Sequence, residues 1–145
     1  MRLPEAEARR RFAAADVAYL ATVRTDGRPH VVPIVFAVEV DRLVSIADPK
    51  PKRGPDLLRF RNIAANPAVS LLVDEYDADW ERLWWVRADG MARVVEEGPE
   101  RDLTIELLQA KYPQYAAWAT TFGAAMVVTI ERWSSWSLAP PAAAG

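Results

Sequence analysis

The chain has no cysteine, so disulfides, thiolate chemistry and cysteine-based metal sites are excluded. It has one histidine, His30, which rules out a multi-histidine metal centre and any Ser-His hydrolase built on another histidine. Hydrophobic residues make up 51% of the sequence, but in short runs, none approaching the roughly 20 apolar residues that span a bilayer. The N-terminal MRLPEAEARRRFAAA mixes both charges around no apolar core, so no export signal is read there and a cytoplasmic location is expected. Excess charge is also missing. The formal net charge is −2, which argues against nucleic acid as the main partner. Neither nucleic acid nor membrane is expected to bind.

The charge that is present is unevenly spread. Residues 48–61 hold Lys50, Lys52, Arg53, Arg59 and Arg61 against Asp48 and Asp56, a local +3. Much of the opposite sign lies in DEYDADWE, residues 74–81, with five acids in eight residues. A basic patch this small suits a small anion better than a polyanion.

At 145 residues one domain is expected, over residues 1–139, with a disordered tail at 140–145. Pro4 opens a helix that runs to about Ala15 with Glu5 and Glu7 in its first turn. Residues 17–23 read as a strand, and Thr25-Asp26-Gly27-Arg28 as a hairpin turn, because Asp-Gly supplies positive φ angles. Residues 30–38 return as a strand in which Pro33 cannot donate to a ladder, so an edge or bulge belongs there. A turn at Asp41-Arg42 leads to a third strand over 43–47. Pro55-Asp56 begins a helix ending at Asn66-Pro67, and 68–74 is a fourth strand. Residues 83–95 form a long strand with a bulge at Asp89-Gly90. Pro99 opens a helix to Lys111 with Leu103, Leu107 and Leu108 on one face. Residues 112–123 are irregular or short-helical, and 125–138 is the last strand. The expected class is mainly β (α+β), a small antiparallel barrel flanked by helices.

Two constellations carry chemistry. In ADPKPKR, Pro49 and Pro51 stiffen a loop bearing Lys50, Lys52 and Arg53. Arginine offers a phosphate bidentate hydrogen bonds and lysine a point charge; the same residues also make an ordinary solvated turn. It is neither a Walker loop nor a dinucleotide fingerprint. In RPHVVP, Pro29 and Pro33 leave strand backbone groups outside the ladder, free to meet a flat heterocycle, or simply protect an edge strand. A lone strand histidine such as His30 is more often packing than catalysis. Six tryptophans are present, and the adjacent Trp84 and Trp85 must point to opposite faces of a strand. If one fills the barrel, the other needs a subunit or a bound ring to cover it.

ATVRTDGRPHVVPIVF, the basic loop, RNIAANPAVSLLVD, DEYDADWERLWWVRADGMA and ERWSSW occur in this order. Together they resemble the pyridoxamine-phosphate-oxidase-like split β-barrel proteins. Within that group they are most similar to the actinobacterial branch of deazaflavin (coenzyme F-420) dependent enzymes. The resemblance covers about residues 5–138. It implies a six-stranded antiparallel split β-barrel with flanking helices, FMN-binding-protein-like, and a homodimer with the cofactor at the subunit interface. It implies that His30, Val31, Val32 and Pro33 line the ring, partly through backbone groups. Lys50, Lys52 and Arg53 would hold the phosphate, Arg59 and Asn62 would support it, and Trp85 with Trp136 would lie near the interface. Gly54-Pro55-Asp56 departs from relatives that continue directly into helix.

The function this implies is an F-420-dependent oxidoreductase moving hydride to or from a small organic substrate, with no catalytic side chain and no metal ligand assigned. Two rivals stand beside it: an FMN-binding oxidase or reductase of the same barrel type, and a non-catalytic cofactor-binding protein.

Overall fold

The computed structural model describes residues 1–47, 57–117 and 122–140. Chain order is α1 (Glu5–Ala14), β1 (Ala18–Val23), β2 (Pro29–Ile34), β3 (Ala37–Glu39), β4 (Arg42–Ile46), α2 (Leu58–Ala65), β5 (Ala68–Glu75), a 3-10 turn (Trp80–Arg82), β6 (Trp84–Val95), α3 (Pro99–Lys111), α4 (Pro113–Ala117) and β7 (Ala125–Ser137). All strand pairs are antiparallel, in the order β2-β1-β5-β6-β7-β4-β3.

That order makes β2 and β3 the two outer strands, yet only Val35 and Phe36 separate them in the chain. The two edges must therefore approach one another, and the sheet rolls up without a ladder closing it. The segment expected as one strand over 30–38 is two strands, so the sheet has seven strands rather than six. Pro29 and Pro33 lie in edge strand β2, where a missing backbone donor costs least.

Inside the roll, Leu20, Leu43, Leu71, Val86, Met126 and Val128 are buried with Phe12 of α1 and Phe36 of the crossover. The Phe12 ring meets Phe36 and Trp133, each at 5.2 Å between centroids. A second cluster covers the outer side of β4 and β7: Val44, Ile46 and Val127 pack beneath Leu108, Tyr112, Tyr115 and Phe122. The face of α3 that packs is thus centred on Thr104 and Leu108, with Leu107 partly buried and Leu103 exposed. This corrects the grouping of Leu103 with Leu107 and Leu108.

Two local features follow directly from residue type. Gly27 has φ +87°, and the Asp26 carboxylate accepts from the Arg28 N–H, closing the β1–β2 hairpin. The register of β6 against β7 shifts at Asp89/Gly90, as a bulge requires, and a Cβ on Gly90 would sit 2.2 Å from the Thr129 carbonyl oxygen. The β3–β4 turn lies one residue earlier than expected, on Val40-Asp41, with Val40 at φ 57°. Lys50, Lys52, Arg53, Trp118 and, apart from Pro140, the expected tail lie outside the described residues. The helix after the basic loop is described from Leu58, and it ends before Asn66-Pro67.

Candidate functional site

The register places the side chains of β2 on two faces. His30, Val32 and Ile34 oppose Thr22, Leu20 and Ala18 and face the core, while Val31 and Pro33 oppose Ala21 and Tyr19 and face outward. The outward residues of this strand meet two concavities.

The first lies on the outer face of the sheet. Tyr19, Ala21, Val31, Ser70, Leu72, Asp74, Tyr76, Trp85 and Arg87 line a shallow groove of about 460 Å³. Its walls are mainly apolar, and Val31 is 58% exposed. Asp74 is exposed at the groove's edge, and Arg87 is engaged at its floor. Arg87 Nε donates to Asp89 at 3.2 Å, and Ser70 Oγ donates to the same carboxylate at 2.6 Å. The adjacent tryptophans split as alternation demands. Trp84 packs at the core rim and donates its indole N–H to Glu75 at 2.8 Å, while Trp85 lies in the groove beneath the Arg87 guanidinium.

The second concavity, the end cavity of about 610 Å³, opens beside the outer strand β2 and the first turn of α2. Pro33, Ile34 and Val35 from β2 and its crossover, Ser45 and Ile46 from β4, and Arg59 from α2 form one side. Asp16, Val17, Lys111, Tyr112 and Tyr115 also line the cavity. In sequence, Ile46 comes just before the ADPKPKR segment and Arg59 follows it in α2.

Lys111 and Tyr112 build a polar knot here. Lys111 Nζ donates to the Ala15 carbonyl at 2.7 Å and the Phe36 carbonyl at 2.9 Å, and stands 3.9 Å from the Phe36 ring centroid. The Tyr112 hydroxyl accepts from the Phe36 N–H at 3.1 Å and contacts the Asp16 and Phe36 carbonyls at 2.8 and 3.0 Å. Burial lowers the Lys111 ammonium to about 8, partly offset by attraction to Asp16. Burial raises the Tyr112 phenol above its ordinary range, against the hydrogen bond to Phe36.

The residues expected at the site are thus distributed. Pro33 and Arg59 share the end cavity; Val31 and Trp85 share the outer groove. Val32 faces the core. Asn62 is buried, its amide donating to Thr22 Oγ1 at 3.0 Å, so it holds α2 against β1 rather than facing either concavity. His30 also faces the core side, its Nδ1 buried without a hydrogen-bond partner among the described residues, so its ring lines neither concavity and its backbone is what β2 presents. Lys111, Tyr112 and Ser45 were missed. In the sequence Lys111 marks only a helix end, and the Tyr-Pro that follows it carries no other signal. Among the described residues no cluster of three potential metal ligands occurs, and no helix is long and apolar enough to cross a membrane.

A rolled, unclosed antiparallel sheet with helices over one end and a cavity beside its outer strands is the split-barrel class of fold. Residues 4–137 match the family described as pyridoxamine 5'-phosphate oxidase, and the chain belongs to that family. The sequence matches none of the curated proteins. Solved structures share the fold. A conserved hypothetical protein of Mycobacterium tuberculosis is 21% identical, with 99% of this chain and 92% of that one covered at a TM-score of 0.74. An FAD-binding protein of Mesorhizobium loti is 24% identical, with 93% of each chain covered and a TM-score of 0.70. A heme-binding protein of Mycobacterium smegmatis is 20% identical, with 94% of this chain and 59% of that one covered at 0.71.

Proposed function

We propose that the chain binds a phosphate-bearing redox cofactor, coenzyme F-420 ahead of FMN, and acts as an oxidoreductase on a small organic substrate. The end cavity carries this reading. Its volume of about 610 Å³ falls in the range of roughly 300–1,000 Å³ typical of small-ligand sites. Its walls are apolar along Pro33, Ile34, Val35 and Ile46, with Arg59 and Lys111 as cations. That combination fits a flat ring with an anionic tail. F-420 adds carboxylates to its phosphate, which favours a site with cations beyond one phosphate loop.

The bound ring would supply the two-electron chemistry itself. The chain's part is to bind, orient and exclude water. Edge strand β2 leaves backbone groups without a ladder partner among the described residues beside the cavity, and these would meet the polar edge of the ring. Lys50, Lys52 and Arg53 would hold the phosphate, with α2 fixed behind them by Asn62. The Mesorhizobium loti and Mycobacterium smegmatis proteins, named for FAD and heme, support a fold suited to flat ring cofactors. We assign the outer groove, with Tyr19, Val31 and Trp85, to a second copy of the chain, giving a homodimer.

Fluorescence titration of the purified chain with F-420 and with FMN tests the reading. Saturable binding of F-420, weakened at least about tenfold by Lys52→Ala with Arg53→Ala while the melting temperature holds, supports it. Unchanged affinity in that double variant would remove the loop from the site. A yellow flavin carried through purification would favour FMN.

A further inference from the structure

The end cavity contains a cation that has the Phe36 ring face 3.9 Å away but no carboxylate in an ion pair with it among the described residues. Lys111 sits half-buried in its wall. Two of its three N–H groups are taken up by the carbonyls of Ala15 and Phe36. No carboxylate among the described residues lies within ion-pair distance. Carbonyl dipoles satisfy hydrogen bonds, but they do not neutralise a buried charge, and such a charge is costly to keep. Among the described residues, the ionisable groups facing it are few. Asp16, on the link from α1 to β1, is exposed and attracts it weakly from across the cavity wall. Arg59 from α2 and Tyr115 from α4 line the same space, and Tyr112 is its chain neighbour. The crossover at Phe36 and strand β4 bring no charge to it.

We propose that the Lys111 ammonium is an anion-recognition group of the end cavity, its third N–H meeting a carboxylate or phosphate oxygen of a bound molecule. The proposal stands on the described walls of the cavity whichever ring cofactor binds. The two carbonyls fix the ammonium against the wall, so the ligand need not immobilise a free lysine side chain on binding. The lowered Lys111 value then has a functional consequence: charge, and with it anion binding, is lost as pH rises through about 8.

Sulfate is the probe, being a dianion throughout the useful range, and its effect is read as the rise in melting temperature of the full chain. Measurements are made at about pH 6.5 and about pH 9.5, on either side of the Lys111 transition. In the wild type the sulfate response is expected to drop across this interval. Lys111→Gln is expected to bind sulfate about tenfold more weakly at the lower pH and to lose the step. Lys111→Arg, charged at both values, is expected to keep the response at both. The basic loop is intact in all three proteins, so its share cancels. A Lys111→Gln protein with the wild-type response would overturn the proposal. If that variant fails to fold, Lys111→Arg decides: a flat response supports the proposal, and the wild-type step persisting overturns it. Titration of Lys111→Gln with F-420 and FMN then locates the anion. Weakened binding places it on the cofactor; unchanged cofactor binding with a lost sulfate response places it on the other reactant. Failure of both cofactors to bind the wild type counts against the cofactor reading alone.

Discussion

Asn62 Nδ2 donates a 3.0 Å hydrogen bond to Thr22 Oγ1, with both side chains buried where α2 crosses β1. This bond fixes the helix that carries Arg59 into the end cavity. Asn62→Leu removes the donor and leaves the Thr22 hydroxyl buried. The expected cost is about 1–3 kcal/mol, read as a lowered urea midpoint at unchanged slope. A variant as stable as the wild type would mean that α2 is held by its apolar contacts alone.

Lys111 gives stability a pH dependence whose sign can be worked out. Its folded-state value lies at about 8 against an ordinary 10.5. Between these values the unfolded chain holds a proton that the folded chain has released, so stability from this group rises with pH across the window. The cost of burying the charge is present in full below it. Tyr112, raised by burial, acts oppositely above its ordinary value of 10.0, where the folded chain keeps a proton the unfolded one loses. Lys111→Met cannot titrate. The wild type should therefore gain on it between about pH 7.5 and about pH 9.5 in urea unfolding. Parallel profiles for the two proteins would contradict the assignment.

Much of the architecture was legible because local chemistry and tertiary role agree. Gly27 sits in the hairpin its Asp-Gly pair announces, Asp89-Gly90 marks the bulge, and Pro99–Lys111 is a helix. The break between β2 and β3 was hidden because residues 30–38 stay largely apolar through Val35 and Phe36. There the chain passes between the two edges of the roll and needs no turn residue. The site was half legible. The prolines exposed edge strand β2, while the basic loop that composition singles out lies outside the described residues. Lys111 could not be found this way, because its environment comes from carbonyls of Ala15 and Phe36, 96 and 75 positions away in sequence.

Val40 occupies the left-handed region at φ 57° and is 79% exposed. A β-branched residue there carries strain of about 1–2 kcal/mol with no packing to offset it. Val40→Gly is expected to stabilise the chain by about 1 kcal/mol after the entropic cost of glycine, raising the melting temperature by about 3 °C. A lower melting temperature would show that the Val40 side chain contributes more than its exposure implies.

Trp85 lies in the outer groove beside Val31, on the face assigned to a second copy. Trp85→Glu places a charge in that face while leaving the core untouched. Sedimentation velocity should show a dimer for the wild type and weakened or lost pairing for the variant, a loss of about 2 kcal/mol or more. A wild-type monomer at high concentration would remove the dimer from the account.

The central claim is tested most directly by a crystal structure of the chain with F-420 bound. The account predicts the ring along Pro33, Ile34 and Val35, the phosphate on Lys50, Lys52 and Arg53, and an anionic oxygen at Lys111 Nζ. A ring seated elsewhere, with the cavity between Arg59 and Lys111 filled only by solvent, would contradict it.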